Sequence, residues 1–107
     1  MRTLEFIVNA QVIEKDPKCD FSDIIPGSRN YLSAHFTFSE EWEGCRVAAS
    51  FWRGEKEFPV RLDSNGSCTI PSDALTGSIF KVSLTGLRGA YLLTTNKIPV
   101  RQGVSKK

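Results

Sequence analysis

A single histidine, a single methionine and three cysteines are all that the chain holds toward metal ligation or thiol chemistry. Cys19, Cys45 and Cys68 are odd in number and far apart, with no C-x-x-C pair, so neither a disulfide framework nor a zinc site is signalled. The thiols are expected to be free and buried, in a reducing compartment. A transition-metal site needs clustered ligands, which one imidazole does not supply, and no metal or other cofactor is expected. No run approaches the ~18 apolar residues of a membrane span. The stretch Met1 to Ala10 alternates and carries Arg2 and Glu5, so neither a signal peptide nor a membrane segment is expected. The charge is also thin: 14 Lys and Arg against 12 Asp and Glu leave +2, short of the basic footprint of a nucleic-acid binder. With 107 residues, 40% of them hydrophobic, there is material for one core and not two.

What is present is alternation. Almost every apolar cluster repeats every second residue, the signature of strands with one face on a core. Leu4, Phe6 and Val8 lead to a tip at Asn9-Ala10, and Val12-Ile13 continue beyond it as a first hairpin. Asp16 to Asn30, rich in Pro, Gly, Asp and Ser, reads as a long surface loop in which Phe21, Ile24 and Ile25 are available to pack inward. Leu32, Ala34, Phe36 and Phe38 share one face of the clearest strand. Ser39 to Gly44 then offers a Ser cap, early acids and a Gly stop around Trp42, a single helical turn plugging the end of the core.

Further on, Cys45, Val47, Ala49 and Phe51 point inward, Arg53-Gly54 turns, and Phe58, Val60 and Leu62 return. Pro59 inside that returning strand places it at a sheet edge. Asp63 to Gly66 turns, Cys68 and Ile70 make a short strand, and Pro71 to Leu75 allow a second helical turn. Phe80, Val82 and Leu84, a turn at Leu87 to Ala90, then Tyr91, Leu93, Ile98 and Val100 complete the pattern. The prediction is all-β: an antiparallel β-sandwich, Ig-like or jelly-roll-like, of about eight short strands with one or two single-turn helices. Its domain spans 1–101, and 102–107 read as a flexible tail. The expected core is Phe6, Leu32, Phe36, Phe38, Trp42, Val47, Phe51, Phe58, Ile70, Phe80, Val82 and Leu84.

Catalytic chemistry finds little purchase. His35, the one candidate base, falls on the polar face of a strand with no nucleophile elbow in the chain, and reads as a satisfied surface histidine. Glu40, Glu41 and Glu43 crowd one short connection rather than facing each other across a cleft, and read as a solvated acidic cap. Gly86 to Gly89 is too short for a phosphate loop. No catalytic residue is assigned, and the expectation is not an enzyme. Contact chemistry remains: Tyr31, Trp52 and Tyr91 as aromatic candidates, with Arg53 and Arg88 at turns beside them. Trp52 is out of phase with the inward set and is expected to be exposed, as a contact residue, an edge cover or a platform for a sugar.

The run Phe36-Thr37-Phe38-Ser39-Glu40-Glu41-Trp42-Glu43-Gly44 fits F-x-F-S-x-x-W-[DE]-G, and Val47 to Phe51 follow as a strand ending in an aromatic. With Cys68-Thr69-Ile70-Pro71 and the closing Thr95-Asn96-Lys97-Ile98-Pro99-Val100, the order resembles small β-sandwich modules of tail, baseplate and fibre proteins of phages and prophages of Gram-positive bacteria. The resemblance covers about Tyr31 to Val100. It implies a non-enzymatic adaptor acting by protein–protein contact with other virion proteins, located in the virion or the cytoplasm of the bacterial host. The chain lacks the trimerising repeats of a complete fibre. A small phage inhibitor of a host or defence protein, and a carbohydrate-binding module, are the alternatives.

Overall fold

The computed structural model describes residues 1–103. There the alternation becomes nine strands: β1 (Arg2–Asn9), β2 (Val12–Lys15), β3 (Leu32–Phe38), β4 (Arg46–Arg53), β5 (Lys56–Arg61), β6 (Ser67–Thr69), β7 (Ile79–Arg88), β8 (Tyr91–Thr94) and β9 (Ile98–Arg101). Single 3₁₀ turns at Glu40–Trp42 and Ser72–Leu75 bridge between them, as the Ser39 and Pro71 segments suggest. One sheet has the order β2-β1-β3-β6; the other has β5-β4-β7. Along the far edge of β7, β9 pairs with Ile79 to Val82 and β8 with Thr85 to Arg88. The two sheets pack face to face as an all-β sandwich.

One pairing departs from the antiparallel expectation: β1 and β3 run parallel, Arg2 opposite Leu32 and Val8 opposite Phe38. Alternation carries no strand direction, whereas the connection does. Parallel neighbours need a crossover of about a dozen residues, and the Asp16 to Asn30 loop provides one, returning the chain to the start of β1, where the Arg2 amide donates to Tyr31 O at 2.8 Å. Arg2 then stitches the loop down, its guanidinium donating to the carbonyls of Asp20, Ser22 and Asp23. Phe21 and Ile24 do pack inward from this loop, while Ile25 is left half exposed.

The hairpins form with shifted tips. Asn9 pairs with Val12, so the first turn is Ala10-Gln11, and Arg53 pairs with Lys56, so the second is Gly54-Glu55. Arg88 faces Tyr91, leaving Gly89-Ala90 at the third tip. Pro59 lies on β5, which is an edge strand, where its missing N–H costs no ladder bond.

Between the sheets an aromatic series runs from Phe21 through Phe6, Phe36 and Phe38 to Trp42, with successive centroids 5.4, 5.2, 6.3 and 5.3 Å apart. Phe51, Phe80, Val82 and Leu84 face it from the second sheet, fully buried. Three members of the expected core, Phe38, Val47 and Phe58, are half-buried and pack against its rim. The expected tail starts too early: Gln102 is buried and donates from its amide to Ser78 O at 2.8 Å and from Nε2 to Gly77 O at 2.6 Å. Positions 104–107 of that tail lie outside the described residues.

Candidate contact surface

The motif residues converge, and what they build is framework. Ser39 does not cap its 3₁₀ turn. Its hydroxyl accepts from the Ala10 amide at 3.0 Å and donates to Glu41 Oε1 at 2.7 Å, which holds the Glu41 carboxyl below its ordinary range. Trp42 Nε1 donates to Ala10 O at 2.8 Å, and Asn96 Oδ1 accepts from the Ile13 amide at 2.9 Å. Ala10 needs that clamp, since it sits at φ +53, a backbone region that residues with a Cβ rarely adopt. The F-S-x-x-W and T-N pieces, distant in sequence, thus grip one tip from two sides.

The five contact candidates fall in three places. Tyr31 is exposed just before β3, beside Arg2 and the long loop. Arg88 and Tyr91 lie at the other end, past the close of β3: the Arg88 guanidinium stacks 4.8 Å from the Tyr91 centroid and donates to Glu43 O at 2.5 Å. Trp52 and Arg53 close β4. Arg53 is no free contact, because its guanidinium donates to Asp73 O at 2.9 Å and Thr76 Oγ1 at 2.6 Å, tying β4 to the Ser72–Leu75 turn.

Trp52 is not exposed as expected, nor is it at an edge. Its strand lies between β5 and β7, its Nε1 donates to Ser83 Oγ at 3.0 Å, and the Lys97 ammonium sits 3.6 Å from its ring centroid. A ring face so covered is closed to stacking on a sugar. Trp52→Ala is expected to cost about 1–2 kcal/mol in urea unfolding, between an exposed residue and a core Trp, since a cation–π contact and one hydrogen bond are lost together.

Around Trp52 the sheet has a character that composition hides. Register places Arg46, Arg61, Lys81 and Arg101 on the outer face of the second sheet, with Lys97 above Trp52. Glu57, which accepts from the Ser50 hydroxyl, is the carboxylate among them. The outer face of the first sheet carries Glu5, Glu14 and His35 instead. His35 is satisfied there, its Nδ1 2.6 Å from Glu5 Oε1. A near-neutral chain is therefore basic on one side and weakly acidic on the other.

Beside the basic face, Leu87 and Leu92 stand opposite each other on the β7–β8 hairpin, 49% and 62% exposed, with Tyr91 at 39% on the same hairpin. Sequence reading treats Leu87 as turn and passes over Leu92. The available signal is parity: each alternates with an inward neighbour, Gly86 and Leu93.

The three cysteines are free but half-buried rather than buried. Burial, and then the neighbouring Asp63 carboxylate, push the Cys68 thiol from its ordinary 9.0 up to about 12. Cys68 is therefore expected to resist a disulfide reagent at pH 8 until the protein unfolds, which a stopped-flow thiol titration with and without denaturant would check. Because the folded thiol titrates above the unfolded one, its contribution to stability is full below pH 9.0 and is lost as pH rises toward 12.

No group of three or more His, Cys, Asp or Glu is placed to hold a metal ion, and no helix is long and apolar enough to cross a membrane, among the described residues. The fold and surface define a two-sheet β-sandwich with a basic face and an apolar hairpin. No protein family, curated protein or solved structure matches the chain.

Proposed function

We propose that the chain is a non-enzymatic module of a phage or prophage particle, an adaptor of tail, baseplate or fibre that acts by contact with other virion proteins. The observation that carries this reading is the β7–β8 hairpin. Leu87 and Leu92 form an exposed apolar pair, and Tyr91 with its stacked Arg88 adds the residue types that dominate interface energies. Arg88, bonded to Glu43 O, ties the hairpin to the sandwich, so little ordering entropy is lost on docking. The order of the framework motifs supports the virion setting.

The test is a double variant, Leu87→Glu with Leu92→Lys. Both side chains are exposed and the new pair is of opposite charge across the ladder, so stability is expected to change by less than about 1 kcal/mol, while incorporation into purified particles falls at least about tenfold, the effect of one lost contact of ~1.4 kcal/mol. Normal incorporation would remove the hairpin from the interface, and wild-type protein missing from the particles would remove the virion reading.

A further inference from the structure

The side of the sandwich where β5 crosses to β6 is open. A cavity of about 460 Å³ lies there between the sheets, floored by Phe38, Trp42, Val47 and Leu62 and bordered by Arg46 and Arg61. A second hollow of about 380 Å³ continues from it along Ser67, Cys68 and Thr69. Arg61, Leu62 and Asp63 line both, so the two hollows adjoin along that segment as parts of one grooved side. The second hollow follows β6, which ends its sheet; on the outer edge of β6 the Ser67 amide and carbonyl are taken by Asp63, which leaves Thr69 as the strand residue with outward backbone groups.

The charges at the mouth are unequally engaged. The guanidiniums of Arg2, Arg53 and Arg88 are bound to backbone carbonyls. Arg46 and Arg61 make no such bond and no ion pair among the described residues. Asp63, the carboxylate among the lining residues, accepts at Oδ1 from the amides of Asn65 and Ser67, each at 2.9 Å, and its single charge leaves the two guanidiniums in excess. The site thus offers an apolar floor, uncommitted positive charge at its rim and, at Thr69, a short stretch of open strand edge beside it.

We propose that this groove binds an extended acidic segment of a partner protein, with one aromatic or aliphatic side chain seated between the sheets and flanking carboxylates on Arg46 and Arg61. The inference rests on the protein-contact reading and names the partner's chemistry. The side-chain pocket supplies the apolar anchor, and the outward backbone of Thr69 allows a short main-chain contact of the kind by which extended peptides are read. Guanidinium pairing with carboxylate, bidentate where the approach allows, supplies the charge selection.

The probe is the peptide Ser-Glu-Phe-Glu-Ser, blocked at both ends and titrated into the full chain, with the Trp42 indole N–H and the Gly66 amide followed by NMR. Saturable shifts at these two groups are expected. Replacing both Glu of the peptide by Gln, or its Phe by Ala, should each weaken binding at least about tenfold. Arg61→Gln should remove most of the preference for Glu over Gln while leaving the unfolding midpoint unchanged, because Arg61 is exposed and makes no ion pair among the described residues. The absence of saturable shifts, equal binding of the Glu and Gln peptides, or shifts confined to the β7–β8 hairpin would each overturn the proposal. Because this titration needs no particles, its failure leaves the hairpin reading standing, and loss of the hairpin reading leaves the titration interpretable.

Discussion

Phe36→Ala is expected to destabilise the protein by about 3 kcal/mol, near the lower end of the 3–5 kcal/mol typical of deleting a buried Phe. Phe36 is 2% exposed and stacks on Phe6 at 5.2 Å with the rings 20° apart, in a strand held between β1 and β6. It cannot leave without opening the centre of the aromatic series. The low end applies because Phe36 also borders the groove between the sheets, so part of its surroundings is already unfilled and the void can drain to solvent. A domain of this size has about 5–15 kcal/mol of net stability, so the variant should unfold at a much lower urea midpoint with an unchanged slope. Thr37→Ala, one residue along on the exposed face, should move the midpoint by less than about 1 kcal/mol. Equal effects at the two positions would mean that the strand presents its other face to the core.

That alternation was legible because a strand exposes its two faces in strict turn, and it located the core positions Phe6, Leu32, Phe36, Phe51, Phe80 and Val82. Two features were not legible, each for a physical reason. The parallel β1–β3 pair depends on where a long loop returns, and side-chain pattern has no sense of direction. The tips at Ala10-Gln11 and Gly54-Glu55 differ by one residue from the Asn9-Ala10 and Arg53-Gly54 readings because turn composition tolerates a one-step shift that the register, once paired, does not.

The candidate surface was read least well. Trp52 was placed correctly on the outer face, but the Lys97 that covers it comes from a connection distant in sequence. The same holds for Arg53, whose partners Asp73 and Thr76 lie in another turn. The basic face was within reach of parity, since Arg46, Lys81 and Arg101 sit at outward positions of separate strands. Net charge averages them against carboxylates on the opposite sheet and so conceals them.

Gly86→Ala should likewise lower stability, although the same substitution at an unhindered glycine usually raises it. Sequence reading weighs Gly86 only as the start of a run too short for a phosphate loop, yet it lies inside β7 opposite Val47 and Leu93, facing inward. A methyl added there would come 2.7 Å from Cζ3 and 2.8 Å from Cε3 of Trp42, and 3.2 Å from Cβ of Cys45. The missing side chain is the seat for the indole. Trp42 has little freedom to yield, because its Nε1 is bonded to Ala10 O and its ring packs against Phe38 at 5.3 Å. Moving it would also release Ala10 from its positive-φ conformation. Overpacking of this kind costs about 1–3 kcal/mol, and the coupled loss of the tip clamp argues for the upper part of that range. Gly77→Ala is the matched comparison: its Cβ would meet nothing closer than Ile79 O at 3.9 Å, so it should be neutral or gain about 0.4–1 kcal/mol from the reduced freedom of the unfolded chain. Urea unfolding followed by Trp emission separates the two, and the Gly86 variant should also shift the native emission maximum as the indole moves toward solvent. If the two alanine variants proved equally stable, Trp42 would not be seated on β7, and the framework role given to the F-S-x-x-W motif would fail with it.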